Sequence, residues 1–226
     1  MKNAIAVLLS ATVLTSLFLL TGCRTATPPP PASNTTPTVE LFNGTNLDGW
    51  TFCMKNNADP ALTWSVSNGV IHCTGQPAGY ARTTQTYQDY QLTVIWRFIK
   101  VTPHADNSGI LVHTQLPDKV WPVCVQVQGL YQHQGDVILM GGVSADGYPP
   151  AGKKSLLVPH MGPQNENPAG DWNTNDIICN GNAIGVFVNG KPLNQIIGCS
   201  LSSGYIGIQS EGGDIEVRRL LLEPLK

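Results

Sequence analysis

The chain has 226 residues, 42% of them hydrophobic and only 12% charged, with a formal net charge of −2 from 13 basic and 15 acidic side chains. That much hydrophobicity excludes a fully disordered chain, and so little charge excludes a coiled coil or helical bundle; the near-balance of signs leaves no electrostatic footprint for nucleic acid. With 23 Gly and 17 Pro, the length fits one mid-sized domain of many short strands joined by tight turns.

Met1 and Lys2 open a short positive segment, followed by an apolar run from Ala4 to Leu20 and then Thr21-Gly22-Cys23. Small residues before a cysteine match a bacterial lipoprotein signal, in which residues 1–22 are removed and the Cys23 thiol is acylated. A plain secretory signal or a membrane anchor is the alternative, but the run is slightly short for a span and is broken by Ser10, Thr12, Thr15 and Ser16. Arg24 rather than Asp follows the cysteine, which by similarity to Gram-negative lipoproteins favours the outer membrane, with the periplasmic or surface side left open. Residues 23–38 include Pro28-Pro29-Pro30-Pro31 and read as a stiff, extended tether. The folded domain is expected over residues 39–226, held in the cell envelope by lipid rather than crossing it.

Within that domain, Trp64-Ser65-Val66 and Val70-Ile71-His72 flank Ser67-Asn68-Gly69, a hairpin signal because Asn-Gly supplies positive φ. Along Tyr90–Phe98 the even positions Tyr90, Leu92, Val94, Trp96 and Phe98 form one apolar face, and Arg97 points the other way with Gln91 and Thr93. In Val120–Gln128, Val123, Val125 and Val127 share one face while Cys124, Gln126 and Gln128 share the other. Two amides on one strand face are costly if buried alone, so they line an open groove or belong to a satisfied polar network. Asn180-Gly181 and Asn189-Gly190 mark further tight turns, and Tyr205–Gln209 and Ile215–Leu222 further strands. No amphipathic helix exceeds two turns. A single sheet of this many strands would leave a face uncovered, so the expectation is an all-β, two-sheet antiparallel sandwich.

Beyond Cys23 there are five cysteines: Cys53, Cys73, Cys124, Cys179 and Cys199. Export permits disulfides, and an odd number leaves at least one thiol single. Cys53–Cys73 and Cys179–Cys199 is the preferred pairing, with Cys124 buried in a strand. The absence of a CxxC pair argues against zinc or redox chemistry.

Several motifs occur in a fixed order: Leu41-Phe42-Asn43-Gly44 through Gly49-Trp50, Asn107-Ser108-Gly109-Ile110, Trp121-Pro122 leading into Gln126-Val127-Gln128-Gly129, then Gly135-Asp136. The last third adds Gly170-Asp171-Trp172-Asn173, Val188-Asn189-Gly190, Gly204 through Gly212, and Arg218. Together, over residues 39–226, they resemble the DUF1080 family, also called the 3-keto-disaccharide hydrolase domain. The resemblance implies a concanavalin A-like jelly roll whose concave sheet accepts a carbohydrate, and chemistry on sugars oxidised at C3. A C3 ketone acidifies the C2 hydrogen, so a base can remove it and expel the glycosidic oxygen; water addition completes a net hydrolysis. Such a site needs a base, a group that stabilises an enolate and a donor to the departing oxygen. It does not need carboxylates at glycosidase spacing.

One position departs from the family, whose strand usually carries Glu-x-Gln where this chain has Gln126. An amide cannot act as a general base and binds a cation less well. The readings left open are a base elsewhere, a non-catalytic surface carbohydrate-binding module, or a subfamily that never used that Glu. His113 is a candidate base because its ordinary pKa lies near working pH, or else a structural histidine. Asp136, after Gly135, is a base, a cation ligand or a turn cap. Arg97 could grip an oxyanion with its fork of donors, or pair with a carboxylate. Gln126, Gln128 and Glu211 suit substrate positioning, and Trp172 could stack on a sugar ring or sit in the core. Lys153 and Lys154 read as solvated loop residues. A divalent cation could assist the enolate, with Asp146-Gly147 or Asn173-Thr174-Asn175-Asp176 as generic oxygen-rich segments, though no metal set is assigned. There is no GxSxG elbow, Walker loop, HExxH or dinucleotide fingerprint. The leading expectation is a lipid-anchored hydrolase or lyase of 3-keto-glycosides; a binding module is the first alternative and a conventional glycosidase the second.

Overall fold

The computed structural model describes residues 37–102, 106–150 and 155–226. The apolar leader, Cys23 and nearly all of the tether lie outside the described residues, as do Lys153 and Lys154. In chain order the strands are β1 (Val39–Glu40), β2 (Trp50–Met54), β3 (Trp64–Ser67), β4 (Val70–Cys73), β5 (Gly79–Tyr87), β6 (Tyr90–Phe98), β7 (Asn107–Gln115) and β8 (Val123–Gln128). They continue with β9 (Val137–Met140), β10 (Leu156–Val158), β11 (Asn173–Asn180), β12 (Ala183–Val188), β13 (Lys191–Ile196), β14 (Gly204–Glu211) and β15 (Ile215–Pro224). Helix among the described residues is limited to two 3-10 turns, Lys55–Asn57 and Pro60–Leu62.

The strands form two sheets. One runs β13-β12-β11-β6-β15-β4-β3 with β1 beside β15, and the other β10-β9-β8-β7-β14-β5-β2. Neighbouring strands are antiparallel throughout. The result is the expected jelly-roll sandwich. Asn68 (φ 51°) with Gly69 (φ 76°) turns β3 into β4, and Asn189 (φ 49°) with Gly190 (φ 77°) turns β12 into β13, the conformations that a two-residue hairpin loop requires.

Alternation builds the core. On β6 buried and half-buried residues alternate along the whole strand, and Leu92, Val94 and Trp96 pack with Ile110, Val125, Val127, Ile206 and Ile208 of the other sheet. Each large apolar side chain taken fully out of water stabilises the fold by roughly 1.5–3 kcal/mol. Trp96 keeps its polar atom satisfied by donating Nε1–H to Asn175 Oδ1 at 2.8 Å. Asn173 and Asn175 are buried while Thr174 and Asp176 are only partly so. The same alternation therefore sends this oxygen-rich segment to two faces instead of one cation loop.

All five cysteines of the described residues are free thiols, which corrects the expected Cys53–Cys73 and Cys179–Cys199 bridges. Cys53 belongs to the seven-stranded sheet and Cys73 to the other. Burial pushes the Cys73 thiol up to about 11 and that of Cys179 to about 12, so neither is a ready thiolate. Cys124 is fully buried in β8, as expected.

Strand alternation after Ile110-Leu111-Val112 would put His113 on the face opposite Val112, and the structure departs from that. The ladders of β7 with β8 and with β14 both slip at this point, and His113 adopts φ 53°. The bulge turns its ring into the interior, edge-on to Tyr90 of the opposite sheet at 6.4 Å between centroids. There it is 0% exposed, and its ring nitrogens make no well-formed hydrogen bond, although the Leu201 backbone lies close enough to favour the proton against burial. Gly204 lets β14 pass this close, since a Cβ there would lie 2.5 Å from the His113 carbonyl carbon.

Burial lowers the His113 pKa to about 4 from the ordinary 6.5. An unfolded chain binds the proton as pH falls through 6.5, whereas the folded chain binds it only near 4, so stability is lost across that window. The loss is about 3 kcal/mol at 1.36 kcal/mol per pKa unit. Denaturant unfolding between pH 7 and pH 4 should show this drop in the native protein. A His113→Asn variant, whose side chain tolerates positive φ, should be less stable at pH 7 yet lose less on acidification. Equal losses in the two proteins would refute it.

Candidate functional site: an amide-lined cleft on the seven-stranded sheet

The face of this sheet turned away from the core follows from strand register. Gln126 stands opposite Leu111 and Ile138, Gln128 opposite Gly109, Gln209 opposite Gly109 and Tyr80, and Glu211 opposite Asn107. The core-side partners of these strands are Val125, Val127, Ile110, Ile208 and Leu139. A cleft of about 370 Å³ opens here, lined by Asn107, Trp121, Gln126, Ile138, Met140, Ser155, Gln209 and Glu211, a volume near the lower end for ligand sites.

Its polar groups form a chain. Gln126 spends both Nε2 hydrogens, donating to Gln128 Oε1 at 2.6 Å and to Gln209 Oε1 at 2.9 Å. Asn107 Nδ2 donates to Glu211 Oε2 at 2.7 Å. Burial raises the Glu211 pKa, against the pull of the neighbouring Gln209 amide. Of the two expectations, groove or polar network, Gln126 meets both, while Gln128 joins the network through its oxygen and is not among the lining residues. Gln126 and Gln209 are each 2% exposed, so their order comes from each other.

Glycine makes the bridge possible. A Cβ on Gly109 would meet Gln126 Nε2 at 2.8 Å and Val127 O at 3.0 Å, so the Gln126 side chain lies across a strand without a side chain of its own. Beside the polar chain, Tyr80, Leu111, Cys124 and Met140 make a second, smaller apolar cluster.

The other expected site residues lie elsewhere. Arg97 sits on the eight-stranded sheet, on the face away from the core, because it alternates with Trp96 and Phe98. Its Nε and Nη2 hold Glu216 Oε2 at 2.8 and 2.6 Å, and Nη1 donates to Gly170 O at 2.8 Å. Trp172 is neither core nor cleft: its ring is clamped between the guanidiniums of Arg97 at 4.3 Å and Arg218 at 4.5 Å. Asp136, 4% exposed, fastens the segment after β10, accepting from His160 N at 2.7 Å and pairing with His160 Nδ1 at 2.6 Å. Its second oxygen lies 3.6 Å from His133 Nδ1. His113 is in the interior. Of the seven candidates, Gln126, Gln128 and Glu211 come together, while His113, Arg97, Asp136 and Trp172 do not join them. No group of three or more His, Cys, Asp or Glu among the described residues gathers at metal-ligand spacing.

Sequence reasoning missed Asn107, Trp121 and Gln209 as cleft residues. Gln209 alternates with Ile208 and Ser210 and falls two residues before Glu211, so the period-two rule that selected Gln126 and Gln128 also selects it.

Gly109→Ala isolates the bridge. The methyl group forces Gln126 to rotate and give up its bonds to Gln128 and Gln209, an overpacking cost of about 1–3 kcal/mol. Thermal unfolding should fall accordingly, and a second change of Gln126→Ala should recover part of the loss by vacating the contested space. A Gly109→Ala protein as stable as the native one would contradict the assignment.

The description of a 3-keto-alpha-glucoside-1,2-lyase-like domain matches residues 37–223. Among solved structures, a candidate glycosyl hydrolase of Parabacteroides distasonis is similar at 20% identity and TM-score 0.60, covering 84% of this chain and 94% of its own. The carbohydrate-binding module CBM66 of Bacillus subtilis is similar at 10% identity and TM-score 0.55, covering 77% and 95%. LamAcat of Zobellia galactanivorans is similar at 9% identity and TM-score 0.56, covering 84% and 98%. No curated protein sequence matches the chain. The fold is therefore one shared by carbohydrate-active and carbohydrate-binding proteins, and the chain belongs to the 3-keto-alpha-glucoside-1,2-lyase-like domain family.

Proposed function

We propose that the protein cleaves 3-keto-glycosides by elimination followed by hydration, with Glu211 as the base, and that Cys23 tethers it by lipid in the bacterial envelope. The observation that carries the reading is that Glu211 is the one titratable side chain among the described residues that line the cleft. Elimination next to a ketone asks for one base, whereas a conventional glycosidase asks for two carboxyl groups at set spacing.

In the proposed step the Glu211 carboxylate takes the C2 proton. The C–H electron pair forms the C1=C2 bond as the C1–O bond breaks, and the departing oxygen leaves with a proton that the same carboxyl group can return. Gln128 Nε2 has no hydrogen-bond acceptor among the described residues, because the Gln126 bridge uses only its oxygen; it is a free donor for the C3 oxygen as negative charge develops. Water adds across the double bond to give the free 3-keto sugar.

A raised pKa suits this task, because a stronger base is a better proton acceptor provided it is ionised at working pH. The stability sign runs the opposite way. Protonated Glu211 favours the fold below the unfolded-chain pKa, and that contribution is lost as pH rises through the higher folded value.

Glu211→Gln should lower turnover of a 3-keto-disaccharide by on the order of 10²–10⁴-fold, while melting no lower than the native protein at pH 7. The native kcat/KM should rise with pH through a midpoint above the usual carboxylate range. Full turnover by Glu211→Gln would remove the assignment. The second reading, a binding module, draws on the amide at position 126 and its bonds to Gln128 and Gln209; it predicts calorimetric binding of unoxidised oligosaccharides with no cleavage of the keto-sugar by the native protein.

A further inference from the structure

We infer that Trp121 forms a second sugar subsite, holding the ring that departs, and that Asp118 positions it; this rests on the cleft being the carbohydrate site proposed above. The ligand class is a pyranose that can lay a C–H face on an indole.

Of the five tryptophans, Trp50, Trp64 and Trp96 are at most 7% exposed, and Trp172 is clamped between two arginines. Trp121 is 47% exposed and lines the cleft. A large apolar ring left wet at a ligand site offers area that only a ligand will cover.

The segment carrying it is fastened down. Asp118 receives Arg82 Nε and Nη2 on its two oxygens, both at 2.7 Å, and Tyr80 Oη donates to it at 2.7 Å. Arg82 is 8% exposed and lies 4.2 Å over the Tyr205 ring. The connection from β7 to β8 is thereby tied down on the cleft face of the sheet, beside the apolar cluster of Tyr80, Leu111, Cys124 and Met140. A bidentate arginine–carboxylate pair fixes direction as well as distance, so the residues just after it, Trp121 included, start from a defined place.

Register separates the two ends of the cleft. Glu211 stands opposite Asn107, Leu111 opposite Gln126, and Val123 lies three residues before Gln126. At about 3.3 Å per residue, the Glu211 level and that of Met140, which stands opposite Cys124, are roughly 20 Å apart along the strands, longer than one sugar ring. The Glu211 end is amide and carboxylate; Ile138 stands beside Gln126, Met140 lies two residues beyond it, and the indole completes the apolar lining. A keto ring over Glu211 thus leaves its partner ring to the apolar end.

The test is steady-state kinetics of the full chain with two probes, a 3-keto-disaccharide and methyl 3-keto-glucoside, whose leaving group is too small to reach Trp121. In Trp121→Ala the preference for the disaccharide, as a ratio of kcat/KM values, should fall on the order of tenfold, the scale of one aromatic contact, and Trp121→Phe should restore most of it. Asp118→Asn should shift the same ratio in the same direction through KM, a split that a mere loss of stability would not produce. An unchanged ratio in Trp121→Ala, with Glu211→Gln inactive, overturns the subsite and leaves the reaction standing. Absence of turnover of either probe by the native protein overturns both.

Discussion

A β-strand cannot put adjacent side chains on the same side of its sheet, and this constraint assigns nearly every group in the protein. On β8 it commits Val125 and Val127 to the core, and so commits Gln126 and Gln128 to the outer surface. On β14 it does the same with Ile206 and Ile208 against Gln209 and Glu211. The cleft is the far side of the core: burying one set of side chains decides where the other must stand. Chemistry and stability are therefore coupled through backbone register.

Within the cleft, hydrogen bonding decides which groups remain for a ligand. Gln126 gives both amide hydrogens to neighbouring glutamines, so its carbonyl oxygen is what it has left to offer. Glu211, opposite Asn107 and half-buried, is the one ionisable group among the described residues of the cleft lining. With both its amide hydrogens spent, Gln126 holds Gln128 and Gln209 in one order, which makes this part of the cleft rigid. That rigidity suits a surface that must orient hydroxyl groups without a metal set or a carboxylate pair to do it. On the core side of the same sheet, the bulge at His113 (φ 53°) turns its ring toward Tyr90.

Much of the fold was legible because its signals are local. Tyr90–Phe98 alternates without interruption, and Asn68-Gly69 and Asn189-Gly190 have the φ values that residue type alone leads one to expect. That Glu211, Gln126 and Gln128 stand on the face away from the core was legible for the same reason. Arg97 was misplaced because alternation tells which face of its own strand a residue occupies, not which of two sheets that strand joins. His113 was misplaced because a bulge breaks the period, and no residue type announces it. Asp118 was invisible, since its partners Tyr80 and Arg82 lie 38 and 36 positions away. The disulfide expectation failed on a similar point, with Cys53 and Cys73 near in sequence but in different sheets.

Those unbridged thiols bear on what holds the domain together. Its core closes on hydrocarbon, with Cys73, Cys124 and Cys179 packed as small greasy residues and no covalent staple among the described residues. The described sandwich thus holds together by packing and hydrogen bonds, with these thiols serving as filler in the core.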